Sequence, residues 1–210
     1  MALTFADRRE AGQVLAGLLA QFRDRPDVVV LGLPRGGVPV AYEVARAVHA
    51  PLHAFIVRKL GLPGHEELAM GAIASGGIRV LNDDVVAAYG ITSSTIDLVA
   101  TREGAELERR TRLYSEGRPG PELRGATVLI VDDGLATGST MKAAAHAAKA
   151  MGAKRVVVAV PVGASETCRE LAAIADEVVC ARMPPEFRAV GQWYADFSQT
   201  TDEEVRRLLE

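Results

Sequence analysis

The sequence predicts an α/β fold built on a doubly wound, mainly parallel sheet. Three observations carry this. Short, continuously apolar runs rich in β-branched residues recur: DVVVLGL at 27–33, LHAFIV at 52–57, ATVLIV at 126–131 and RVVVAV at 155–160. Strands that read this way are buried on both faces. Segments with helical spacing separate them, and that alternation places helices on both sides of a parallel sheet. The 49% apolar and 24% charged residues among 210 suffice for one domain with a real core.

The elements follow in order. From Asp7 to about Gln21, Ala11, Val14, Leu15, Leu18 and Leu19 mark one face of an amphipathic helix. The 27–33 strand ends in Pro34, Arg35, Gly36 and Gly37, a glycine turn that opens a helix over 38–49. After the 52–57 strand, RKLGLPGHEELAMG reads as a polar Gly/Pro stretch, with short strands around 72–74 and 78–81. Ser93 or Ser94 caps a long helix to about Tyr114, whose sparse apolar positions and dense charge make it a solvated surface helix. GRPGPELRG at 117–125 is a loop. Then come a strand over 126–131, a helix over 139–151, a strand over 155–160, a helix over 166–174 and a short strand over 177–180. The tail departs from this rhythm, gathers Phe187, Trp193, Tyr194 and Phe197, and closes with a helix capped by Thr201 or Asp202.

Bulk properties exclude several functions. A formal charge of −3 lacks the basic stripe of a general nucleic-acid binder, although a local basic pocket remains open. Cys168 and Cys180 form no CxxC, so neither a zinc ribbon nor a disulfide framework is expected. They read as small buried hydrophobes in a reducing cytoplasm. The start MALTFADRREAG carries charge where a signal peptide needs an apolar core, and no apolar run nears the about 20 residues of a membrane span.

One stretch carries chemistry: VLIVDDGLATGST, Val128 to Thr140. In an open α/β sheet, ligands bind at the carboxyl ends of strands, where Asp132 and Asp133 fall. The following Gly134, Ala136, Thr137, Gly138, Ser139 and Thr140 offer amides and hydroxyls at a helix N-terminus, an anion site. Two carboxylates beside an anion cradle must meet hydroxyls, a metal or a nascent cation. A ribose 5-phosphate satisfies both halves. The spacing is not that of a Walker loop, which needs a Lys this stretch lacks.

The stretch resembles the phosphoribosyl-pyrophosphate (PRPP) motif of type I phosphoribosyltransferases: four hydrophobics, two acids, two variable residues, then ATG-x-T. The resemblance implies that Asp132 and Asp133 hold the ribose hydroxyls, with any Mg²⁺ bound through PRPP and those acids, and that the 134–140 loop holds the 5-phosphate. LGLPRGGVPVA at 31–41 is similar to the family's pyrophosphate loop, which implies Pro34, Arg35, Gly36 and Gly37 on pyrophosphate and a cis Pro34–Arg35 bond. Read alone, RGG is also compatible with a plain turn and a solvated Arg. Arg58 and Lys59 resemble the basic pair that precedes the family's mobile catalytic flap, adding pyrophosphate contacts; Arg35 and Lys59 would stabilise the leaving group. His65, Glu66 and Glu67 in that stretch are metal contacts, catalytic acids or merely exposed charges. The chain as a whole resembles a group of predicted phosphoribosyltransferases of unassigned acceptor, through LPRGGVPVA, RKLG-PG-ELAMGAIA and VDDGLATG.

That resemblance implies a division into an N-terminal helix (1–26), a core (27–182) with an insertion (60–125), and a C-terminal hood segment (183–210). The hood, small and drawn from the terminal segments, would hold the acceptor. PEFRAVGQWYADF at 185–197 is similar to the C-terminal strand of hypoxanthine-guanine enzymes but is one residue longer in each of two spacings. Phe187 or Trp193 stacking on a heterocycle, with Asp196 accepting from ring N–H groups, is one reading; a satellite aromatic core is the other. The implied function is Mg²⁺-dependent transfer of phosphoribose from PRPP to a nitrogenous acceptor by a homo-oligomer, commonly a dimer. The alternatives are a PRPP-sensing regulator that binds nucleic acid and a non-catalytic phosphosugar-binding protein.

Overall fold

The computed structural model describes residues 4–115 and 120–210, without the side chains of Glu66 and Glu67. Part of the 117–125 loop therefore lies outside the described residues. Five strands form a parallel sheet: β1 (Val28–Gly32), β2 (Leu52–Ala54), β6 (Thr127–Val131), β7 (Arg155–Val162) and β8 (Glu177–Arg182), in the order β2-β1-β6-β7-β8. Between β2 and β6 the chain forms a second, antiparallel sheet from β3 (Val57–Leu62), β4 (His65–Ala74) and β5 (Ile78–Leu81).

Helices cover the parallel sheet on both faces. On one, α1 (Arg8–Leu18) and α2 (Gly37–Val48) set Leu15, Val40 and Val44 against Val28, Val30, Leu129 and Val131. On the other, α5 (Ser139–Ala150) packs Met141, Ala144, Ala145 and Ala148 on Leu31, Val128 and Ile130. Neighbours along β6 thus serve opposite faces, which is why its apolar run is uninterrupted. The small α6 (Ser165–Leu171) follows β7 on the α5 side.

The insertion has its own core. Leu60, Met70 and Ile73 from the antiparallel sheet meet Ile96, Val99 and Leu107 of α4 (Ser93–Ser115) and Val205 of α7 (Asp202–Leu209). Two expectations are corrected here. LHAFIV is not one strand: Leu52–Ala54 pairs with β1, while Val57 begins β3 and pairs with Ala74. A run that is apolar on both faces carries no mark of where it changes sheets. Likewise RKLGLPGHEELAMG is a β-hairpin, not an open stretch, with Pro63 and Gly64 at its turn. A further short helix, α3 (Asp83–Ala88), is capped by the Asn82 side chain, which accepts from the Val85 amide. Among the described residues no helix is long and apolar enough to cross a membrane.

Candidate active site

β6 is buried along its whole length, so Asp132 and Asp133 emerge at its carboxyl edge, in the middle of the sheet. Gly32 of β1 lies in register with Val131, and the Leu33 amide donates to the Val131 carbonyl at 2.9 Å. That register carries the turn after β1 directly onto the acids. A Cβ on Gly37 would lie 2.8 Å from Asp132 Cα, and one on Gly36 would lie 2.0 Å from Asp133 Oδ2. At Gly37 that neighbour is backbone and only hydrogen fits, while at Gly36 a Cβ would displace the Asp133 carboxylate, so the glycine turn and the acid pair form one continuous surface. The peptide bond between Pro34 and Arg35 is cis, as the resemblance implied.

The electrostatics of the pair are unusual. The Asp133 amide donates to Asp132 Oδ1 at 2.9 Å. Burial first, and repulsion by Asp133 second, push the Asp132 carboxyl well above its ordinary range. Asp133 is also raised by burial, against the pull of Arg8.

After the acids the chain forms a cradle. Leu135 is buried and bridges to Gly163, its amide donating to Val162 O at 2.9 Å and its carbonyl accepting from the Ala164 amide at 3.0 Å. The Thr167 hydroxyl of α6 donates to Ala136 O at 2.7 Å. Gly138, at φ +71°, turns the backbone into α5, whose first intrahelical bond runs from the Lys142 amide to Gly138 O. The amides of Ser139, Thr140 and Met141 precede it and have no intrahelical acceptor, which makes this end an anion site. The Thr137 and Ser139 hydroxyls lie 3.0 Å apart at its rim. Replacing Gly138 by Ala strains a left-handed residue and brings the new Cβ to 2.5 Å from Thr167 Cγ2. We expect a loss of about 2 kcal/mol, read as a melting temperature lower by about 4–8 °C.

Residues 5–8 and 193–198 meet beside the acid pair. The Phe5 amide donates to Trp193 O at 2.8 Å, and the amides of Ala195 and Asp196 donate to Phe5 O and Ala6 O at 2.7 and 2.9 Å. Asp7 caps α1 by accepting from the Glu10 amide, which sets Arg8 at the first helical position. Arg8 Nε then donates to Asp133 Oδ2 at 2.8 Å and its Nη1 to Ser198 O at 2.7 Å, with the guanidinium 4.1 Å above the Phe197 ring. The Tyr194 hydroxyl donates to Asp133 O at 2.5 Å.

The remaining candidates are spread more widely. Arg35 Nη1 stands 3.9 Å from Asp202 Oδ1, and Asp202 also accepts from the Tyr114 hydroxyl at 2.5 Å. Burial and that contact hold the Tyr114 phenol up to about 12. Arg58 and Lys59 are consecutive strand residues and point to opposite faces of the hairpin. The Arg58 guanidinium is held by Glu103 of α4 at 2.6 and 2.9 Å, so a place in a pyrophosphate pocket requires its release. His65 is exposed at the start of β4, and the side chains of Glu66 and Glu67 lie outside the described residues. Phe187 and Trp193 pack on the cluster of Phe5, Ala11, Val162 and Tyr194. Asp196 is exposed and accepts from the Ser198 amide at 2.8 Å, which lowers its carboxyl. Sequence reasoning missed Arg8, Tyr194 as a partner of Asp133, Thr167, Ser198 and Asp202. Their only local signal was a position beside a helix cap or in the aromatic tail.

A family model described as a phosphoribosyl transferase domain matches residues 3–192. The chain belongs to this family. The parallel sheet flanked by helices is thus that of a type I phosphoribosyltransferase domain. Over 206 residues the chain is 50% identical to a Mycobacterium tuberculosis H37Rv protein provisionally named phosphoribosyl transferase Rv0571c, covering 98% of this chain and 46% of that protein. The chain therefore spans about half the length of the curated relatives it matches. The crystal structure of TT1426 from Thermus thermophilus shares 44% identity, covers 98% of this chain and 97% of its own, and superposes with a TM-score of 0.91. A hypoxanthine-guanine phosphoribosyltransferase from Bacillus anthracis, at 12% identity, covers 87% and 84% with a TM-score of 0.51, a likeness of fold alone.

Proposed function

We propose that this phosphoribosyltransferase domain moves the 5-phosphoribosyl group of PRPP to a nitrogenous acceptor, a nucleobase or a related nitrogen nucleophile, and releases pyrophosphate. The observation that carries the proposal is the contact of three parts at one sheet edge. Asp132 and Asp133 stand between the 134–140 cradle and the Arg35-Gly36-Gly37 turn, and Gly36 is so close to Asp133 that a Cβ there would displace its carboxylate. The three parts match the three parts of PRPP: diol, 5-phosphate and pyrophosphate.

In this reading the acceptor nitrogen attacks ribose C1 as the bond from C1 to the pyrophosphate oxygen breaks. The bonding pair leaves with pyrophosphate, and the nitrogen then gives its proton to water. Positive charge grows on the ring in between, and the carboxylates of Asp132 and Asp133 favour it electrostatically. Arg35 meets the negative charge that gathers on the leaving group, giving up its contact with Asp202. Asp132 and Asp133 are the residues that would meet a Mg²⁺ bound with PRPP, which would supply neutralisation of phosphate charge. Among the described residues no group of three His, Cys, Asp or Glu side chains could hold a metal ion, and Arg8 occupies Asp133 Oδ2. We place the reaction in the cytoplasm, in keeping with free Cys168 and Cys180.

The test is pyrophosphate release from PRPP and Mg²⁺ across purines, pyrimidines and other nitrogen nucleophiles, with PRPP binding followed by calorimetry. Release with one acceptor class is the expected result. Absence of both release and PRPP binding would overturn the reading. Binding without release from any acceptor would instead favour the non-catalytic phosphosugar role.

A further inference from the structure

The acid pair has four carboxylate oxygens, and two of them are occupied. Asp132 Oδ1 accepts from the Asp133 amide at 2.9 Å, and Asp133 Oδ2 accepts from Arg8 Nε at 2.8 Å. Two oxygens, Asp132 Oδ2 and Asp133 Oδ1, are left for a diol that brings two hydroxyls. The choice on Asp133 is made by Arg8, and Arg8 is itself fixed from three sides. Its backbone is set by the Asp7 cap, its Nη1 is tied to Ser198 O, and its guanidinium plane is covered by Phe197. The ion pair is shielded, with 13% and 15% of the two side chains exposed, so water screens it little. Planar, two-pronged donation of this kind is a property of Arg that Lys cannot reproduce.

Resting on the proposed function, we infer that Arg8 is a positioning residue for the ribose of PRPP. It orients Asp133 so that one oxygen faces the diol, and it ties that orientation to closure of the terminal segments, because the same guanidinium holds Ser198. Arg8 acts through Asp133 and not on the phosphates. Its effect therefore falls on ligands that carry the ribose and spares pyrophosphate, whose expected contacts are the 34–37 turn.

The experiment compares wild type, Arg8→Gln and Arg8→Lys in the full chain, by calorimetry with PRPP and with pyrophosphate, each with Mg²⁺, alongside thermal melting. Arg8→Gln is expected to weaken PRPP by about tenfold. Pyrophosphate affinity stays within about twofold of wild type, well inside the effect expected for a lost charged hydrogen bond. Arg8→Lys keeps the charge without the bridge and is expected to weaken PRPP by about threefold, a partial rescue. If Arg8→Gln does not fold, Arg8→Lys decides by the same ratio of PRPP to pyrophosphate affinity. Wild-type PRPP affinity in the folded variants overturns the inference, as does an equal loss for PRPP and pyrophosphate, which marks a merely structural role. A wild-type chain that binds no PRPP overturns the proposed function and this inference together; a wild-type chain that binds PRPP, with variants that match it, overturns only the inference.

Discussion

Asp132→Asn is expected to weaken PRPP binding by about a hundredfold while raising the melting temperature of the empty protein. The two effects share one cause. Burial and the neighbouring Asp133 charge make the ionised form of Asp132 costly, so its folded-state carboxyl titrates well above the ordinary value near 3.8. Between the unfolded and folded values the native state binds more protons than the unfolded state. Stability therefore falls as pH rises through that window and stays lower above it. Asn is neutral at all these pH values, and its side-chain oxygen can still accept from the Asp133 amide. Its advantage should be absent below the ordinary aspartate range, grow across the window and level off above the folded-state value. A gain of about 1 kcal/mol corresponds to about 2–4 °C in a chain of this size. Ribose binding runs the other way, because a neutral amide offers the growing ring charge nothing and places an N–H group where a hydroxyl needs an acceptor. Melting curves across pH, paired with PRPP calorimetry, check both. A variant that loses affinity without gaining stability as pH rises above the ordinary aspartate range would show that the acids are not strained by proximity, and unchanged affinity would remove them from the ribose site.

What was legible from sequence followed the range of the interactions concerned. The acids and their cradle lie within thirteen consecutive residues, and a strand, a turn and a helix cap each have a local signature there. Arg35-Gly36-Gly37 is similarly local, and its contact with the acids follows from the pairing of β1 with β6. The parallel sheet was readable because β6 and β7 are buried on both faces and so are apolar throughout. Arg8 is another matter: it lies 125 residues from Asp133 and 190 from Ser198, and ADRREAG looks like any solvated helix start. Tyr194, 61 residues beyond Asp133, was visible only as one aromatic among several. Asp202 was legible as a helix cap, not as a neighbour of Arg35. The hairpin of β3 and β4 was hidden for a different reason. Gly61, Pro63, Gly64 and Gly71 interrupt its alternation, and the pairing that stabilises it is tertiary. Six residues of α3 are too few to display a helical period.

The glycines of the 34–37 turn separate the expected active-site reading from the plainer one, a turn with a solvated Arg. Gly36 has φ −63° and ψ −29°, a conformation that Ala adopts without strain. Gly36→Ala is therefore a purely steric change. Its Cβ would lie 2.0 Å from Asp133 Oδ2, 2.8 Å from Asp133 Cγ and 3.1 Å from Arg8 Nε. The carboxylate must swing away by more than an ångström on any ordinary contact distance, and in doing so it leaves Arg8 and the orientation proposed for the ribose. The side chain can move, so the fold survives at a cost of about 1–2 kcal/mol, but PRPP affinity is expected to fall by about a hundredfold. Gly37→Ala provides the contrast. Its Cβ meets backbone, Asp132 Cα and Val131 O, each at 2.8 Å, and neither can yield without parting β1 from β6. That variant should lose several kcal/mol and much of its soluble yield. Melting and PRPP calorimetry on the Gly36 variant decide the matter: a folded Gly36→Ala protein with wild-type affinity would mean that the turn and the acids, though touching, do not form one site.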